Sequence, residues 1–234
     1  MGLWDLHSHV LYGLDDGAAT REEMFAMLDA AWKDGIRLLG ATPHCVPGIE
    51  PFDHQAWESR FREAEDYCRA QKYNIRLVKG AEILYTPALS HYAQTRQLMT
   101  LGESNRVLME FSPGIPLREM EKGLSLVEEN GYQVMLAHGE RYGCLLSPGV
   151  LGRLKKRHPS LLVQVNAHTL VGKPPLRIRL AVGSWLKNRL VDCIASDAHD
   201  GKHRPYLQSA ARRELEKTCP KEYVMDLLGM KKSL

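Results

Sequence analysis

The sequence of 234 residues lacks the features that mark disulfide-rich, secreted and membrane-spanning proteins. Its five cysteines are widely spaced, odd in number and without a CxxC pair, so neither a disulfide framework nor a thiolate zinc site is indicated. No apolar run of about 18 residues is present, and no signal peptide opens the chain. These absences predict a cytoplasmic protein that does not insert into a membrane.

Charge of one sign and nucleotide-binding motifs are also scarce. The formal net charge of +3 is too small to indicate nucleic-acid binding, which usually leaves a strongly basic domain. Neither GxGxxG nor GxxxxGK occurs, so no glycine-rich phosphate loop is predicted. The composition, with 44% apolar and 25% charged residues, is that of an ordinary globular protein, and the length favours one domain over residues 1–234.

Short apolar runs alternate with longer amphipathic stretches along the whole chain. Strands are predicted at 3–6, 37–41, 76–78, 107–110, 133–137, 162–165 and 191–195. Helices are predicted near 20–34, 53–71, 87–98, 117–130, 148–157, 175–188, 205–217 and 220–229. This alternation is typical of parallel β-α units, and seven of them predict a closed or nearly closed α/β barrel.

Every predicted strand ends in a residue type that can bind a metal, and in a β/α barrel the chemistry collects at these carboxyl ends. The strand-end residues are His7, His9, His44, Glu82, Glu110, His138, Asn166, His168, Asp197 and His199. His7 and His9 are two apart on an extended segment, so their side chains point to the same face. Asp5 shares that face and is expected to hold an imidazole by its second nitrogen.

Each of these residues taken alone has an ordinary structural alternative. Glu82 or Glu110 could be an exposed charge, His138 a hydrogen-bonded core histidine, and "SDAH" a helix cap. The coincidence at all seven strand ends favours a metal site over seven independent alternatives. Imidazole and carboxylate ligands without thiolate indicate manganese, iron or zinc rather than a structural zinc site. The number of ligands indicates two or three divalent ions.

The motifs together resemble the PHP superfamily of metal-dependent phosphoesterases. Within it they resemble the bacterial tyrosine-protein phosphatases of capsule and exopolysaccharide production, the CpsB and YwqE type. The matching stretches are "DLHSHVLYGLDDG", "GIRLLGATPH", "GAEILYTP", "LMEFS", "AHGERY" and "IASDAH". The resemblance implies the PHP fold, a distorted (β/α)7 TIM-like barrel. It also implies hydrolysis of protein phosphotyrosine by a hydroxide that bridges the metals, in regulation of capsule or exopolysaccharide synthesis.

Position by position, the resemblance implies three metal ions, with manganese expected and iron or zinc as alternatives. The implied ligands are His7, His9, Glu82 and Asp197 for one ion, Asp16, His44 and His199 for a second, and Glu82, Glu110 and His138 for a third. Arg141 and Arg204 match the arginines that bind the substrate phosphate, and Asp197 is counted with them as catalytic. The implied partner is a tyrosine-phosphorylated protein, such as the tail of a bacterial tyrosine kinase.

Two other kinds of function remain open at this point. One is a PHP enzyme with a different substrate, either a small-molecule phosphatase of the histidinol-phosphate type or a phosphodiesterase. The other is a PHP fold kept as a binding module. A cysteine nucleophile is not indicated, because no cysteine has an arginine six positions after it.

Several residues near the motifs carry weaker expectations. Tyr12, Arg118 and Tyr142 could line the substrate mouth, but a simple surface position is favoured for each. The histidines predicted to be surface residues are His54, His91, His158 and His203. The role of His168 is left open, since it closes a strand but matches no ligand position.

Overall fold

The computed structural model describes residues 2–229, in which parallel strands alternate with helices. The strands in this range are β1 (Leu3–Asp5), β2 (Ile36–Ala41), β3 (His44–Cys45), β4 (Arg76–Lys79), β5 (Glu82–Leu84), β6 (Arg106–Glu110), β7 (Gln133–Leu136), β8 (Leu162–Asn166) and β9 (Cys193–Ala195). The helices are α1 (Arg21–Lys33), α2 (His54–Ala70), α3 (Leu89–Gln94), α4 (Leu117–Glu129), α5 (Val150–Arg157), α6 (Ala167–Val171), α7 (Leu176–Lys187), α8 (Gln208–Thr218) and α9 (Lys221–Leu227). A 3₁₀ turn covers Gly139–Arg141.

The strands form two parallel sheets that continue into one another. One sheet has the order β1-β2-β4 and the other β3-β5-β6-β7-β8-β9. Two residues separate β2 from β3, and two separate β4 from β5. The gap is bridged where the amide of Gly80 donates to the carbonyl of Ala41 at 3.1 Å and that of Glu82 donates to Pro43 at 3.0 Å. The chain therefore passes from one sheet to the other at the same level in two adjacent strands.

The last strand returns to the first. Just beyond β9, the amide of Asp197 donates to the carbonyl of His7 at 2.9 Å, and the amide of His9 donates to Ala198 at 2.8 Å. Ser8 and Ala198 form an isolated parallel bridge at this point. The parallel strands are therefore curled, and the carboxyl ends of the first and last strands lie side by side.

Strand alternation separates the core into an outer and an inner apolar cluster. In β6, Val107 and Met109 belong to the large cluster that includes helix residues, while Leu108 belongs to a small cluster. In β7, Val134 lies in the large cluster and Met135 in the small one. Successive strand residues point to opposite faces, so the small cluster fills the inside of the curl. The inner face is thus apolar at the level of mid-strand.

The predicted elements correspond closely to the observed ones. Each predicted strand has a counterpart, although the second and third are continued by the short strands β3 and β5. Helix α1 begins after Thr20, whose hydroxyl accepts from the amide of Glu23 at 3.2 Å and thereby caps the first turn. The short helix α6 was not predicted, and α3 is shorter than the predicted 87–98 because Arg96 has a left-handed backbone, with φ of 58°.

The structure is a mixed α/β fold with a curled parallel sheet. The exact (β/α)7 count stays a prediction. No helix in the described part of the chain is long and apolar enough to cross a membrane.

Replacement of Leu39 tests the packing of this core. Leu39 in β2 is fully buried in the large cluster, so Leu39→Ala removes buried apolar area and leaves a cavity. We expect the free energy of unfolding, measured by urea titration, to fall by about 2–5 kcal/mol. The matched change at the exposed Ile49, Ile49→Ala, is expected to shift it by no more than about 0.5 kcal/mol. Equal effects of the two substitutions would contradict the assignment of Leu39 to the core.

Candidate metal centre

The segment after β1 folds back on itself and fixes the ring of His9. Nδ1 of His9 donates to Oδ2 of Asp15 at 2.6 Å, and Oδ1 of Asp15 accepts from the amide of Gly17 at 2.9 Å. A Cβ at Gly17 would lie 2.1 Å from the carbonyl oxygen of His9, so only glycine allows this close approach. The "DDG" turn therefore serves to bring the Asp15 carboxylate against the ring. Nε2 of His9 then faces Nε2 of His7 at 3.2 Å.

The carboxylate of Glu82, at the start of β5, lies among four imidazoles. Its Oε2 is 3.1 Å from Nε2 of His7, 3.2 Å from Nε2 of His9 and 3.3 Å from Nδ1 of His44. Its Oε1 is 2.7 Å from Nε2 of His138. The parallel register places His44 of β3 directly beside Glu82. Glu82 is almost completely buried, so it is the common neighbour of side chains from several strand ends.

The carboxylate of Asp197, just beyond β9, uses its two oxygens differently. Oδ1 lies 3.4 Å from Nε2 of both His7 and His9. Oδ2 accepts from Nη2 of Arg141 at 2.7 Å and from Nη2 of Arg204 at 2.9 Å. Asp197 has a left-handed backbone, with φ of 56°, a conformation that costs a residue other than glycine about 1–3 kcal/mol. Such strain is common where a side chain must be aimed at a functional site.

A second set of contacts surrounds Asp16, which is the exposed partner of the aspartate pair. Its side chain is 63% exposed, and Oδ1 lies 3.2 Å from Nε2 of His199 and 3.4 Å from Nε2 of His44. Nδ1 of His199 donates to the carbonyl of Asp197 at 2.9 Å, which leaves Nε2 facing Asp16. Asp15 and Asp16 therefore have different roles. Asp15 binds Nδ1 of His9, on the far side of that ring from the cluster, whereas Asp16 faces the cluster itself.

The structure brings eight of the nine predicted ligands into three overlapping groups, and the donor atoms within each group lie within 4.8 Å of one another. The ninth, His138, lies beside them with its Nε2 2.7 Å from Oε1 of Glu82. The groups are His7, His9, Glu82 and Asp197; His9, Asp16, His44 and His199; and His44, Glu82 and Glu110. The first matches a predicted set, and the second is a predicted set with His9 added. In the third, His44 takes the place predicted for His138, whose Nε2 lies 3.7 Å from Oε2 of Glu110. The assignment of ions to ligands stays a prediction.

Two buried polar atoms test whether this donor set fits a cation. Within residues 2–229, Oδ1 of Asp197 and Nε2 of His199 are buried without a hydrogen-bond partner. An unpartnered buried polar atom costs free energy, and both atoms face the cluster. The donors are imidazole nitrogens and carboxylate oxygens, which suit divalent manganese, iron or zinc. The residues therefore fit a bound divalent cation, which would satisfy both atoms.

The electrostatics of the cluster keep its carboxylates ionised. Burial raises the pKa of Glu82, but the charge of His7 and hydrogen bonds from His138, His7 and His9 outweigh it and leave the pKa well below the usual range. Burial likewise raises the pKa of Asp15, yet its hydrogen bond from His9 brings it to about 2. Burial and the nearby charge of His9 lower the pKa of His199 to about 4. Charged carboxylates and a neutral imidazole are the forms that bind metals.

A buried pair of amides on β8 links Asp197 to His7. Nδ2 of Asn166 donates to Oδ2 of Asp197 at 2.9 Å, and Nε2 of Gln164 donates to Oδ1 of Asn166 at 2.6 Å. Oε1 of Gln164 then accepts from the amide of His138 at 2.7 Å and lies 3.2 Å from Nδ1 of His7. An ionised carboxylate can only accept hydrogen bonds, so Asn166 must turn its NH₂ group toward Asp197 and its oxygen toward Gln164. Gln164 must then donate to Asn166 and turn its own oxygen toward His7. When His7 is neutral, as metal binding requires, its proton therefore stays on Nδ1 and the lone pair of Nε2 faces the cluster.

Sequence reasoning missed Asp15 and Gln164. Asp15 was passed over because "LDDG" offers two adjacent aspartates, and only the turn made possible by Gly17 shows which one faces inward. Gln164 does leave a signal, since it is a polar residue inside the apolar run "LLVQV" and stands two positions before Asn166. On a strand this spacing places both amides on the same face.

The predicted role of Asp5 as the partner of an imidazole is wrong. Its Oδ1 accepts from the amides of Ser196 at 3.0 Å and His7 at 3.3 Å, so it joins the backbones of the first and last strands. The second nitrogens of His7 and His9 are instead directed to Gln164 and Asp15. The rings extend toward the carboxyl end, away from the deeper Asp5. Burial raises the pKa of Asp5 to about 6.

Two predicted surface residues are buried. The ring of Tyr142 is completely buried, and its hydroxyl accepts from the amide of Phe111 at 3.0 Å and lies 3.4 Å from Nδ1 of His138. Tyr142 therefore contacts the nitrogen of His138 that points away from Glu82, and it does not line the entrance for a substrate. His158 is buried because Nδ1 donates to Oε2 of Glu128 at 2.6 Å, which satisfies the ring where the chain enters β8.

The remaining side chains with weaker expectations lie outside the cluster. His54, His91 and His203 are exposed, as predicted. Arg118 is exposed in the first turn of α4, and the half-buried Tyr12 donates to Oε2 of Glu63 at 3.1 Å. The exposed His168 lies in α6.

Several known proteins are similar to this chain over most of its length. The family model described as "Capsular polysaccharide synthesis, CpsB/CapC" matches residues 3–232. The chain is 28% identical to tyrosine-protein phosphatase CpsB of Streptococcus pneumoniae, covering 96% of this chain and 99% of that protein. It is 29% identical to tyrosine-protein phosphatase YwqE of Bacillus subtilis, covering 91% and 84%.

A solved structure shares the fold. It comes from a study of YwqE from Bacillus subtilis and CpsB from Streptococcus pneumoniae, described as unique metal-dependent tyrosine phosphatases. The TM-score is 0.85 at 24% sequence identity, covering 99% of this chain and 96% of that one.

Replacement of Gln164 tests the amide pair. Gln164→Leu removes the acceptor for Nδ1 of His7, so the affinity for Mn²⁺, measured by isothermal titration calorimetry, is expected to fall about 10- to 100-fold. Gln164→Glu keeps an acceptor for His7 and should lose less. Gln133→Leu makes the same chemical change on β7, where Gln133 bonds to Arg106 and Ser160, and should leave the affinity unchanged. Wild-type affinity in a folded Gln164→Leu protein would contradict the role assigned to the amide pair.

Proposed function

The chain belongs to the CpsB/CapC family of capsular polysaccharide synthesis, and on that premise we propose that it is a metal-dependent protein-tyrosine phosphatase. The observation that carries this proposal is the convergence of histidine and carboxylate donors around Glu82, with two arginines on the adjacent Asp197. The relatives named above as tyrosine-protein phosphatases span nearly the whole chain, which supports the same activity.

The fold proposed for this activity is a distorted (β/α)7 barrel of the PHP type, formed as one domain by residues 1–234. Two observations support it. The short strands β3 and β5 continue β2 and β4, and hydrogen bonds just beyond β1 and β9 bring the first and last strands together. Counted this way, the strands occupy seven positions around the curl.

The proposed cofactors are two or three divalent ions, with manganese favoured and iron or zinc as alternatives. Their proposed ligands are His7, His9, Asp16, His44, Glu82, Glu110, His138, Asp197 and His199. When bound, such ions supply an activated water and neutralise charge on phosphoryl oxygens. Glu82 is suited to bridge ions because its two oxygens face different imidazoles, Oε2 toward His7, His9 and His44, and Oε1 toward His138.

Arg141 and Arg204 are proposed to bind the substrate phosphate. Arg141 is exposed and Arg204 is half-buried. Each guanidinium donates one N–H to the same oxygen of Asp197, so both are held with their remaining donors free of that carboxylate. A guanidinium fork binds phosphate oxygens through paired, charge-assisted hydrogen bonds. Asp197 is thus proposed to act both as a ligand and as the group that positions the two arginines.

The chemistry of the leaving group and the cysteines fits this proposal. A tyrosine phenol has a pKa of about 10, so its phenolate leaves with little help from a general acid. Burial raises the pKa of Cys45 and of Cys68 to about 11, and that of Cys144 above its usual range. These thiols stay protonated at neutral pH and are poor nucleophiles.

The proposed partner is a tyrosine-phosphorylated protein, with the tail of a bacterial tyrosine kinase as the favoured candidate. The proposed setting is regulation of capsule or exopolysaccharide synthesis in the cytoplasm. The family description, which refers to capsular polysaccharide synthesis, supports this setting.

Metal removal and thiol blocking should have opposite results. Chelation with EDTA is expected to reduce hydrolysis of p-nitrophenyl phosphate to background, and added Mn²⁺ should restore it. Iodoacetamide is expected to leave the rate nearly unchanged, because no cysteine belongs to the proposed site and the raised pKa values of Cys45 and Cys68 keep those two thiols protonated. Loss of activity on alkylation but not on chelation would refute the metal-dependent mechanism.

A substrate panel distinguishes the proposal from its rivals. The metal-loaded protein should have its highest kcat/KM on a phosphotyrosine peptide, compared with histidinol phosphate and bis-p-nitrophenyl phosphate. Preference for histidinol phosphate would indicate a small-molecule phosphatase, and preference for the diester would indicate a phosphodiesterase. A metal-loaded protein without activity on any of them would indicate a binding module.

Replacement of Arg141 tests phosphate binding. Arg141→Lys keeps the positive charge but removes the fork, so kcat/KM for p-nitrophenyl phosphate is expected to fall about 10- to 100-fold. Arg213→Lys makes the same change at an exposed position on α8 and should have no effect. Unchanged steady-state kinetics of Arg141→Lys would argue against a phosphate-binding role for this side chain.

A further inference from the structure

The charge of the chain is unevenly distributed. Residues 141–191 contain ten lysines and arginines and no aspartate or glutamate. The rest of the chain has 21 basic and 28 acidic residues. The acid-free stretch runs from the arginine of the 3₁₀ turn through α5, β8, α6 and α7. The small net charge of the whole protein therefore conceals one strongly basic section, which begins at the proposed phosphate-binding Arg141.

The same section carries most of the exposed apolar side chains. Of the four large hydrophobic residues exposed in the described range, three are Val171 at 39%, Leu176 at 58% and Leu180 at 64%. Leu176 and Leu180 are four residues apart on α7, so they lie on the same side of the helix. Neighbouring exposed apolar residues often mark a surface that binds another molecule.

These residues lie beside the metal centre. They lie in α6 and α7, and α6 begins directly after Asn166, the residue that bonds to Asp197. Nη2 of Arg177 donates to the carbonyl of Gly143 at 3.3 Å, two residues beyond Arg141. The first turn of α7 is thereby held against the loop that carries Arg141. We define the rim surface as Val171, Lys173, Leu176, Arg177 and Leu180.

The positive charges of the rim surface have no acidic partners. Within residues 2–229, neither Lys173 nor Arg177 forms an ion pair with a carboxylate. Three other basic side chains of the acid-free stretch do have acidic partners, since Arg141 pairs with Asp197 at 2.7 Å, Lys155 with Asp192 at 2.5 Å, and Arg157 with Glu121. The rim surface thus combines uncompensated positive charge with exposed leucine side chains.

We propose that the rim surface binds the polypeptide next to the phosphotyrosine, and that it selects substrates with acidic and apolar residues flanking the phosphorylated tyrosine. The proposal rests on the proposed phosphatase function and names its substrate class. The arginines beside Asp197 are sufficient for a free phosphate ester. A second, adjacent surface is useful only for a substrate that extends beyond the phosphate, as a protein chain does.

The chemistry of the surface disfavours two other occupants. In a two-fold symmetric contact the rim surface would face itself, so Lys173 and Arg177 of both copies would enter one interface without an acidic partner, and like charges repel. A membrane-bound amphipathic helix requires an apolar face along its length. The exposed positions in the second half of α7 are Gly183, Ser184 and Lys187 instead. An acidic segment with apolar side chains complements both properties of the rim surface.

Binding of unphosphorylated peptides tests the surface separately from catalysis. Two fluorescein-labelled peptides with a central tyrosine are compared by fluorescence anisotropy, one flanked by aspartate and leucine and the other by lysine and serine. The Mn²⁺-loaded protein should bind the first more tightly, and high salt should weaken the complex. Lys173→Glu should raise its Kd about five- to tenfold, whereas Lys187→Glu, the same change at the far end of α7, should not.

A second pair of variants tests the apolar part of the surface. Leu176→Ser is expected to raise the Kd of the aspartate-leucine peptide about fivefold, and Ile49→Ser, the loss of an exposed apolar side chain from the loop after β3, should leave it unchanged. Circular dichroism and thermal unfolding check that all four variants are folded. With the phosphorylated peptides, Lys173→Glu should raise KM for the acidic peptide by a similar factor while kcat is retained.

The outcomes separate this proposal from the phosphatase function. Equal Kd and KM for the two peptides, with hydrolysis intact, would overturn the proposal and leave the function standing. Selective binding without hydrolysis would support the rim surface and overturn the function. Binding to anionic phosphatidylserine vesicles that Lys173→Glu abolishes, with peptide binding unaffected, would identify a membrane surface and overturn the proposal. A dimer observed by sedimentation velocity that Leu176→Ser dissociates would also overturn the proposal.

Discussion

The centre of this molecule depends on keeping the carboxylate of Glu82 ionised in a place that water does not reach. An isolated buried carboxylate would take up a proton, because burial strongly disfavours the charged form. Glu82 stays ionised because four imidazoles from three strand ends surround both of its oxygens. The curl of the sheet supplies these neighbours, since it brings β3 and β7 and the segment after β1 to the same point. The ionised state of Glu82 therefore depends on the curl of the sheet, which brings the four imidazoles together.

The inner face of the curl changes character along each strand. In β6 the inward position is Leu108 at mid-strand and Glu110 two residues later. In the last strand Ala195 is followed by Asp197. In β6 the inward positions recur every second residue, so the polar level lies directly above the apolar level. Asp197 reaches the same polar level from just beyond β9, where the backbone has turned left-handed. The inner apolar side chains lie directly below the site and exclude water from that side, so the charged groups above them lie next to a region of low dielectric constant.

The strand ends could be read from the sequence because a parallel β/α pattern fixes where side chains converge, whatever the details of the loops. The nine donor residues follow from that rule together with the motif resemblance. Asp15 and Asp16 could not be distinguished in this way, because their difference arises from a turn in which Gly17 approaches the backbone of His9. Tyr142 was misplaced since it follows a 3₁₀ turn, which has no simple periodicity to show that its ring points inward. Asp5 was misassigned because sharing a face with His7 does not determine which way an imidazole extends.

The amide pair of Gln164 and Asn166 has a consequence for the state of the protein before a cation arrives. A chain of donors that starts at an ionised Asp197 admits one arrangement of hydrogens, and Gln164 transmits it to His7. A neutral imidazole in solution divides its population between two tautomers, and choosing one on binding would reduce affinity. Here that choice is made when β8 joins the sheet. Folding therefore fixes Nδ1 as the nitrogen of His7 that keeps its proton, and an incoming ion has to displace only the proton on Nε2, the nitrogen that faces Glu82.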